Sequence, residues 1–414
     1  MKSPAHPPKG PAWYPYVVRS WILLPALFYF YNVYQYACNI PIMDDYDAIL
    51  NFLHDFNSAG FRDRLLLLFS QHNEHRLLHS RIIYIAYDQL FHNVSFRNLI
   101  FIGDGQLLGV AGVSVYFIRK CGGSHWPVIA FVWMLCLFDL NTYESGSIAM
   151  YGVQNFGVLM LFFLSMFLYD RGNRCIVPAA LLQAICVFSS GNGMIASLFI
   201  VVFTLRSGST RKKIVSAATT LVCSALYFVG YTSPANTSSS SYDIGKSIVY
   251  FIRLSGAHFS FDYSLVFGII LLTAVVANFP YKIVWYNTSL WPIICILGFV
   301  LTSMGTVSLF RGSIEAAQFQ TSRYLIYPQL LVAIGCLFIF LRLEGQKVRL
   351  PITIGLLLIL LNTWSNNYHF GQAGFRRTAA RAEAYLYWYP DRKRAAAIIH
   401  TACESDIYCL DEER

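Results

Sequence analysis

Long apolar runs recur from one end of the chain to the other, and no other sequence feature constrains the fold as strongly. A helix needs about 20 apolar residues to cross a bilayer, and its backbone groups must form their hydrogen bonds within the segment. Of the 414 residues, 56% are hydrophobic and 13% are charged, which is typical of a polytopic membrane protein and unusual for a soluble domain. We therefore predict an all-α integral membrane protein.

The apolar runs predict about eleven transmembrane helices. They lie near residues 17–36, 98–118, 127–139, 153–169, 175–190, 193–206, 214–230, 263–279, 290–308, 324–341 and 350–363. Some of these runs are short, so their predicted boundaries are approximate.

Positive charge collects in every second connection between the predicted spans, and these connections are short. The basic residues are Lys2, Lys9 and Arg19 at the N-terminus, then Arg119, Lys120, Arg171, Arg174, Arg206, Arg211, Lys212, Lys213, Lys282, Arg342, Lys347 and Arg349. Loops rich in Lys and Arg face the cytoplasm, so we predict a cytoplasmic N-terminus and, with an odd number of spans, an exterior C-terminus. This topology explains the formal net charge of +9 without nucleic acid as a partner.

The long polar segments all fall on the predicted outer side, so any chemistry is expected there. They are about 37–97, 140–152, 231–262, 309–323 and the tail from 364. We predict one membrane domain over 1–363, with a catalytic outer loop at about 37–97, and a short exterior tail over 364–414.

Two local patterns stand out in these outer segments. Apolar residues at helical spacing predict an amphipathic helix over 45–57, lying in the headgroup zone with its apolar face down. Cys403 and Cys409 lie in the tail, where an oxidising exterior would let them form a disulfide. Their spacing alone does not decide between a disulfide and two free thiols.

Three carboxylates, Asp44, Asp45 and Asp47, follow directly on the first predicted span, at the rim of the membrane. A carboxylate at this position can act as a general base toward a lipid-borne substrate. Alternatively, Asp44 or Asp45 caps the helix predicted over 45–57, because the free N–H groups of a helix N-terminus favour carboxylates. A cap needs only one carboxylate, so the cluster indicates more than capping.

A second polar run, Gln-His-Asn-Glu-His-Arg, lies in the same outer loop. On a helix, His72, His75 and Arg76 would share one face. His79 would join that face, and Glu74 would project elsewhere. We interpret the run as a polar lining that positions a phosphate and a sugar, with a solvated helix start as the alternative. The histidine spacing matches no standard zinc signature, so no metal site is predicted.

Arginine and tyrosine side chains mark the outer ends of the late spans. Arg323 and Tyr324 begin the tenth predicted span, and Arg311 follows the ninth. An arginine there can fork onto a phosphate or snorkel to lipid headgroups. Two arginines around one short loop favour phosphate binding, and Tyr324 suits the interface. Glu144, in the second outer loop, is a candidate supporting carboxylate.

Two further features lie within or between the predicted spans. Asp104 is an intramembrane carboxylate, and it is either functional or neutral and bonded to a neighbouring helix. Residues 189–193 read Ser-Ser-Gly-Asn-Gly, a tight outer turn whose glycines allow close backbone approach.

Several of these features together resemble the GT-C glycosyltransferases, integral membrane enzymes that use polyprenyl-phosphate sugars. They are the Asp pair directly after the first span, the amphipathic helices of a long first outer loop and the many later spans. The Gln-His-Asn-Glu-His-Arg run, the Ser-Gly-Asn-Gly turn and the late Ser-Arg-Tyr are similar to bacterial members of the group. The size of the chain resembles that of the serotype-converting O-antigen glucosyltransferases.

The resemblance implies inverting transfer of a sugar such as glucose from a polyprenyl (undecaprenyl) phosphate donor. The acceptor would be a lipid-linked or growing cell-envelope glycan such as O-antigen, at the periplasmic face of the bacterial inner membrane. The implied general base is Asp44 or Asp45. The implied phosphate-binding residues are Arg323, Tyr324, Arg311, Arg76, His72 and His75, and the implied acceptor or supporting residues are Asp47, Glu74 and Glu144. No cofactor is certain, and a divalent cation stays open.

Two other functions stay open from the sequence. A lipid-linked sugar transporter or flippase would favour polar groups near mid-membrane and an internal repeat, whereas the ionisable residues here gather at the outer face. An O-antigen polymerase would work at that face too, but it tends to carry its arginines in large late loops, which are small in this chain.

Overall fold

The computed structural model describes residues 20–232, 243–281, 288–311, 321–384 and 391–410, which are mostly α-helical. The helices of the first half are α1 (Leu24–Tyr36), α2 (Phe52–Ser58), α3 (Phe61–Phe69), α4 (Leu78–Phe91), α5 (Phe96–Cys121), α6 (Trp126–Leu137), α7 (Tyr143–Ser147), α8 (Ala149–Arg171) and α9 (Ile176–Val187). Those of the second half are α10 (Gly191–Ser207), α11 (Thr210–Tyr227), α12 (Ile244–Gly256), α13 (Ser264–Ala277), α14 (Trp291–Arg311), α15 (Ile326–Arg342), α16 (Arg349–Ala384) and α17 (Arg392–Glu404).

Shorter elements connect these helices. A π-helical turn at Tyr46–Asn51 precedes α2. An antiparallel hairpin of strands β1 (Gln71–His72) and β2 (His75–Arg76) lies between α3 and α4. Single 3₁₀ turns occur at Trp21–Leu23, Gly123–His125, Leu140–Thr142, Asn173–Cys175, Thr288–Leu290 and Ser322–Tyr324.

Among the described residues, five helical segments are long and apolar enough to cross a membrane. They are Phe96–Cys121, Trp126–Ser147, Ala149–Arg171, Thr288–Arg311 and Ser322–Arg342. Shorter apolar helical segments lie at Asn173–Val187, Gly191–Arg206 and Ser264–Ala277. This is the architecture of a helical, multi-pass membrane protein, as the apolar runs predicted, and the count of about eleven spans stays a prediction.

The first and last predicted spans differ most from their predicted bounds. α1 has 13 residues, and residues 17–19 lie outside the described residues. α16 continues for 36 residues, so the domain boundary predicted after residue 363 falls inside one helix. No proline interrupts the sequence between Ile352 and Tyr389, and its alanines and arginines favour helix. Four basic residues also lie outside the described part of the chain: Lys2, Lys9, Arg19 and Lys282.

Glycine lets the helices that carry the site approach one another closely. A Cβ atom at Gly103 of α5 would lie 2.8 Å from the backbone of Gly152 and Val153 on α8, so only glycine fits this crossing. A Cβ atom at Gly193 would overlap the carbonyl oxygen of Cys186. These contacts fix the N-terminal end of α8 and the turn between α9 and α10.

A buried polar network joins α8, α9, α10 and α11. The Gln183 side chain on α9 is fully buried and accepts a hydrogen bond from the Tyr169 hydroxyl at 2.9 Å. Its Nε2 lies 3.0 Å from Ser197 Oγ, 3.0 Å from the Ser216 carbonyl and 2.9 Å from Thr220 Oγ1. Amide and hydroxyl groups of this kind hold helices together in lipid, where water offers no alternative partner.

The C-terminal segment, residues 391–410, folds back onto the first loop. Its helix α17 packs against the turn Tyr46–Asn51. Cys403 and Cys409 form a disulfide in this segment, which decides between the two alternatives that their spacing left open. The segment is therefore packed onto the first loop and does not extend away from it.

Candidate active site

The chain turns sharply just before the Asp cluster, and Asp45 holds the turn together. Met43 is left-handed with φ of 55°, and the Asp45 N–H donates to the Ile42 carbonyl at 3.1 Å. The Asp45 carboxyl group accepts two backbone N–H groups, from Ile42 at 3.1 Å and from Met150 at 2.8 Å. Met150 lies in the first turn of α8, so Asp45 ties the first loop to a core helix. Because Asp45 is only 1% exposed, it serves as an anchor.

Burial also changes the ionisation of Asp45. Removal from water raises the pKa of Asp45 to about 7, and the nearby Asp44 charge acts in the same direction. The N–H groups of Met150 and Ile42 oppose this shift, because they favour the charged form. Asp45 is therefore a carboxyl group that changes charge near neutral pH.

We expect stability to fall as the pH rises from about 4 to about 7, the window between the ordinary and the raised pKa of Asp45. In that window the folded chain keeps a proton on Asp45 that the unfolded chain has released, so rising pH favours unfolding. Thermal unfolding of the detergent-solubilised protein across this range measures how steeply the unfolding temperature changes with pH. The side chain of Asp45→Asn cannot ionise, so the unfolding temperature of this variant should change less steeply with pH than that of wild type. The control Asp55→Asn removes an exposed carboxylate and should keep the wild-type slope. An identical slope in Asp45→Asn and wild type would contradict the assignment.

Asp44 is the partly exposed neighbour of this anchor. Its Oδ2 accepts a hydrogen bond from the Tyr151 hydroxyl at 3.2 Å. Tyr151 directly follows Met150 on α8, so the anchor and this hydrogen bond use the same helix end. Asp44 remains accessible to a substrate, whereas Asp45 is enclosed, and the geometry therefore favours Asp44 as the base.

Arg323 reaches the same tyrosine from a distant part of the chain. Its Cζ lies 5.1 Å from the ring centroid of Tyr151 and 5.2 Å from that of Tyr324. Its Nε is buried and has no hydrogen-bond partner among the described residues. A buried donor without a partner is costly, so Arg323 is well suited to an anionic ligand.

Glu144 links α7 to the turn that carries Arg323. Its Oε2 accepts the backbone N–H of Arg323 at 3.3 Å, and its own N–H donates to Ser322 Oγ at 3.1 Å. The Ser322 hydroxyl in turn donates to the Asn141 carbonyl. We call Asp44, Glu144, Tyr151 and Arg323 the Tyr151 cluster, because Tyr151 contacts Asp44 and Arg323, and Glu144 binds the Arg323 backbone.

His72 and His75 lie on a hairpin, so the prediction of one helical face was wrong. The two residues pair across β1 and β2, and Asn73 supplies the left-handed turn position with φ of 48°. Burial lowers the pKa of His72, and the charges of Asp44 and Asp47 act in the opposite direction. The hairpin is therefore within electrostatic range of the Asp cluster.

His75 lies against the turn between α9 and α10. Its Nδ1 lies 3.4 Å from the Gly191 N–H, in the predicted Ser-Ser-Gly-Asn-Gly turn. Burial lowers the pKa of His75; Glu74 opposes this, and the charges of Arg323 and Arg311 lower it further. A neutral imidazole that accepts at Nδ1 carries its proton on Nε2, so His75 can donate a hydrogen bond.

Arg76 is engaged with the protein backbone. Its guanidinium donates to the carbonyl groups of Phe69, Tyr227 at 2.8 Å and Val229 at 2.6 Å. Its Cζ also lies 5.5 Å from the Tyr227 ring centroid. These contacts hold the hairpin against the end of α11, and they do not support the phosphate contact predicted for Arg76.

Two predicted acceptor residues lie at the edge of the site. Asp47 Oδ1 accepts from Asn51 Nδ2 at 2.6 Å and from Arg394 Nη2 at 2.7 Å. Glu74 Oε1 is 3.8 Å from His75 Nε2. Asp47 is therefore paired with the C-terminal segment, which makes it a weaker candidate for the base than Asp44.

Asp104 and His79 are bonded deeper in the helical body. Asp104 Oδ1 accepts from the Tyr29 hydroxyl at 2.9 Å, so this carboxyl group joins two helices. His79 Nε2 lies 2.6 Å from Gln106 Oε1, which attaches α4 to α5. Among the described residues, no three His, Cys, Asp or Glu side chains gather as a metal-binding group.

Tyr151 is the site residue that sequence reasoning missed. It lies near the end of the outer segment predicted over 140–152, where a single tyrosine gives no distinctive signal. No family model matches the chain, and no curated protein matches it. Asp44, Glu144 and Arg323 are distant in sequence, and the fold brings them together. Asp44 and Arg323 contact Tyr151, and Glu144 contacts the backbone of Arg323.

Proposed function

We propose that the chain is an inverting membrane glycosyltransferase of the GT-C type, which moves a sugar from a polyprenyl-phosphate donor to a glycan. The observation that carries this proposal is the Tyr151 cluster. Asp44 and Arg323 both contact Tyr151, one as a hydrogen-bond acceptor and the other over its ring. A general base and a phosphate-binding cation this close together can act in one displacement reaction, the base on the attacking hydroxyl group and the cation on the departing phosphate.

In the proposed reaction, Asp44 takes the proton of an acceptor hydroxyl as that oxygen attacks the anomeric carbon. The new bond forms on the face opposite the donor phosphate. The bond between the anomeric carbon and the phosphate oxygen breaks, and its electron pair leaves with the phosphate, so the configuration inverts. The Tyr151 hydroxyl, bonded to Asp44 Oδ2, keeps the carboxylate oriented during this step.

Arg323 is proposed to stabilise the charge that develops on the departing polyprenyl phosphate. Its planar guanidinium can fork onto two phosphate oxygens, and the Tyr151 and Tyr324 rings limit its motion. Arg311 is proposed to add positive charge for the phosphate; its charge, like that of Arg323, lowers the pKa of His75. The Nε2–H of His75 is a further donor for the phosphate.

The acceptor is proposed to approach from the first loop, where Asp47, Glu74 and His72 can bind sugar hydroxyl groups. The finer proposals come from the resemblance and from the basic loops. They are glucose as the sugar, O-antigen or another cell-envelope glycan as the acceptor, and the periplasmic face of the bacterial inner membrane as the location.

A transfer assay in liposomes tests the proposal. The donor is polyprenyl phosphate that carries radiolabelled glucose, and the acceptor is a lipid-linked glycan fraction. We expect label to appear in the glycan with inverted linkage, with equimolar release of polyprenyl phosphate. In Asp44→Asn we expect both products to form about 10²- to 10⁴-fold more slowly. A flippase would carry the labelled donor across the bilayer intact, so recovery of translocated but uncleaved donor would overturn the proposal.

A further inference from the structure

The C-terminal segment, residues 391–410, covers the first loop beside the Asp cluster. Its helix α17 begins after Asp391, whose side chain accepts the N–H groups of Lys393 and Arg394. One face of α17 is buried through Ala395, Ile398, Ile399 and Ala402. That helix packs on the turn Tyr46–Asn51, so the segment covers the residues that directly follow Asp44 and Asp45.

Polar contacts attach this segment to the turn that follows Asp44. Arg394 Nη2 lies 2.7 Å from Asp47 Oδ1, three residues after Asp44. His54 Nδ1 lies 2.9 Å from Ser405 Oγ, about two turns of helix further along. The loop is therefore held from the C-terminal side at points just beyond the proposed base.

A second attachment lies before the Asp cluster. The Tyr408 hydroxyl donates to the Asn39 carbonyl at 2.7 Å. The Val94 N–H donates to the Ile407 carbonyl at 2.8 Å. Ile407, the neighbour of Tyr408, is thereby attached to the residues just before α5. The segment 39–47 is thus held at both of its ends by the same stretch of chain.

The disulfide between Cys403 and Cys409 closes the loop that presents Ile407 and Tyr408. Both of these side chains are buried, at 1% and 2% exposure. Without the bridge, the end of the segment would be held only by its packing and by its few hydrogen bonds. The bridge thus restrains the loop from which Tyr408 reaches Asn39.

We propose that residues 391–410 are a positioning element of the active site, locked by their disulfide, so that the site keeps its shape only in an oxidising compartment. Arg394 and Tyr408 are its positioning residues, because they contact the two ends of the stretch that presents Asp44. Reduction breaks the S–S bond and gives two thiols, with two electrons and two protons supplied by a dithiol that becomes a disulfide. The positioning role in catalysis rests on the proposed function. The attachment of residues 39–47 by residues 391–410 does not depend on that function.

Hydrogen exchange of the full chain in nanodiscs tests the hold on the loop without any substrate. The probes are the amides of Ile42, Asp45 and Ala48, which all have hydrogen-bond partners in the folded loop. We expect faster exchange in Cys403→Ser/Cys409→Ser, and in folded wild type treated with dithiothreitol. The matched control is Cys175→Ser/Cys223→Ser, two partly buried thiols far from the segment, and it should exchange like wild type.

Reduction of already folded wild type keeps the test valid if the double serine variant folds poorly. Dithiothreitol should have no further effect on exchange in Cys403→Ser/Cys409→Ser, because the bridge is already absent. Equal exchange of the three amides in oxidised and reduced wild type would overturn the inference.

The transfer assay then tests the catalytic consequence. Misplacement of a base by about 1 Å can cost about 10²-fold, so kcat should fall by up to about this factor on reduction, with the KM for donor little changed. Arg394→Lys should retain more activity than Arg394→Ala, and Lys393→Ala is the control on the adjacent exposed cation. Faster exchange with unchanged kcat would overturn the positioning role. Faster exchange in a protein that shows no transfer in any form would support the hold on the loop and count against the proposed function alone.

Discussion

Sugar transfer is expected to fall about 10²- to 10⁴-fold in Asp44→Asn, because an amide cannot take the proton of the acceptor hydroxyl. The substitution keeps the size of the side chain and an oxygen that can accept the 3.2 Å hydrogen bond from Tyr151. Folding and donor binding should therefore persist. Initial rates at saturating substrates, measured together with thermal stability and donor binding on the same samples, separate the chemical effect from a structural one.

Two carboxylates of the same loop serve as controls for this prediction. Asp45→Asn should mainly lower stability. The carboxyl group accepts hydrogen bonds from two backbone N–H groups, and an amide has only one oxygen that can accept them. Asp55→Asn removes an exposed charge and should behave like wild type. Near-normal transfer by Asp44→Asn would refute its role as the base. Loss of transfer in Asp45→Asn at unchanged stability would assign the role to Asp45.

Loss of the Arg323 guanidinium is expected to lower kcat about 10²- to 10³-fold, as is typical when one donor to a developing anionic charge is removed. Arg323→Ala should also raise the KM for the lipid donor, because the same contact binds the phosphate in the ground state. Arg323→Lys keeps the charge and loses the planar fork, so its rate should lie between those of Arg323→Ala and wild type. Rates at varied donor concentration measure both parameters.

Arg97 offers a matched control for Arg323. Its Cζ lies 5.2 Å from the ring centroid of Tyr34, so it is also an arginine stacked on a tyrosine near a span end. Arg97→Lys should transfer sugar at the wild-type rate. If Arg323→Lys did the same, Arg323 would be an arginine that snorkels to lipid headgroups, and its phosphate role would be lost.

The helical character of the chain could be predicted from its apolar runs, and their exact lengths could not. Each of the eleven predicted segments overlaps a helix, because apolar residues in lipid have no other way to satisfy their backbone. The end of α16 was missed, since the polar and basic residues after 363 look like a loop to a hydropathy argument. Helix propensity and the lack of proline there outweigh polarity.

Three charged residues of the candidate site could be named from the sequence, and Tyr151 could not. Asp44, Glu144 and Arg323 could be named as candidates because charged residues next to apolar runs are conspicuous, whereas Tyr151 joins them only through tertiary contacts. Arg76 was expected to bind phosphate, and it binds backbone carbonyls, because sequence does not reveal which charged groups a fold satisfies internally.

The partners of the Gln183 side chain lie on three other helices, so α9 cannot satisfy its amide when it enters the bilayer alone. An amide without partners in hydrocarbon is strongly unfavourable, and this places a condition on biogenesis. The amide has its full set of partners only when α8, α9, α10 and α11 are all in place. We therefore expect this part of the membrane scaffold to mature only after α11 has been synthesised.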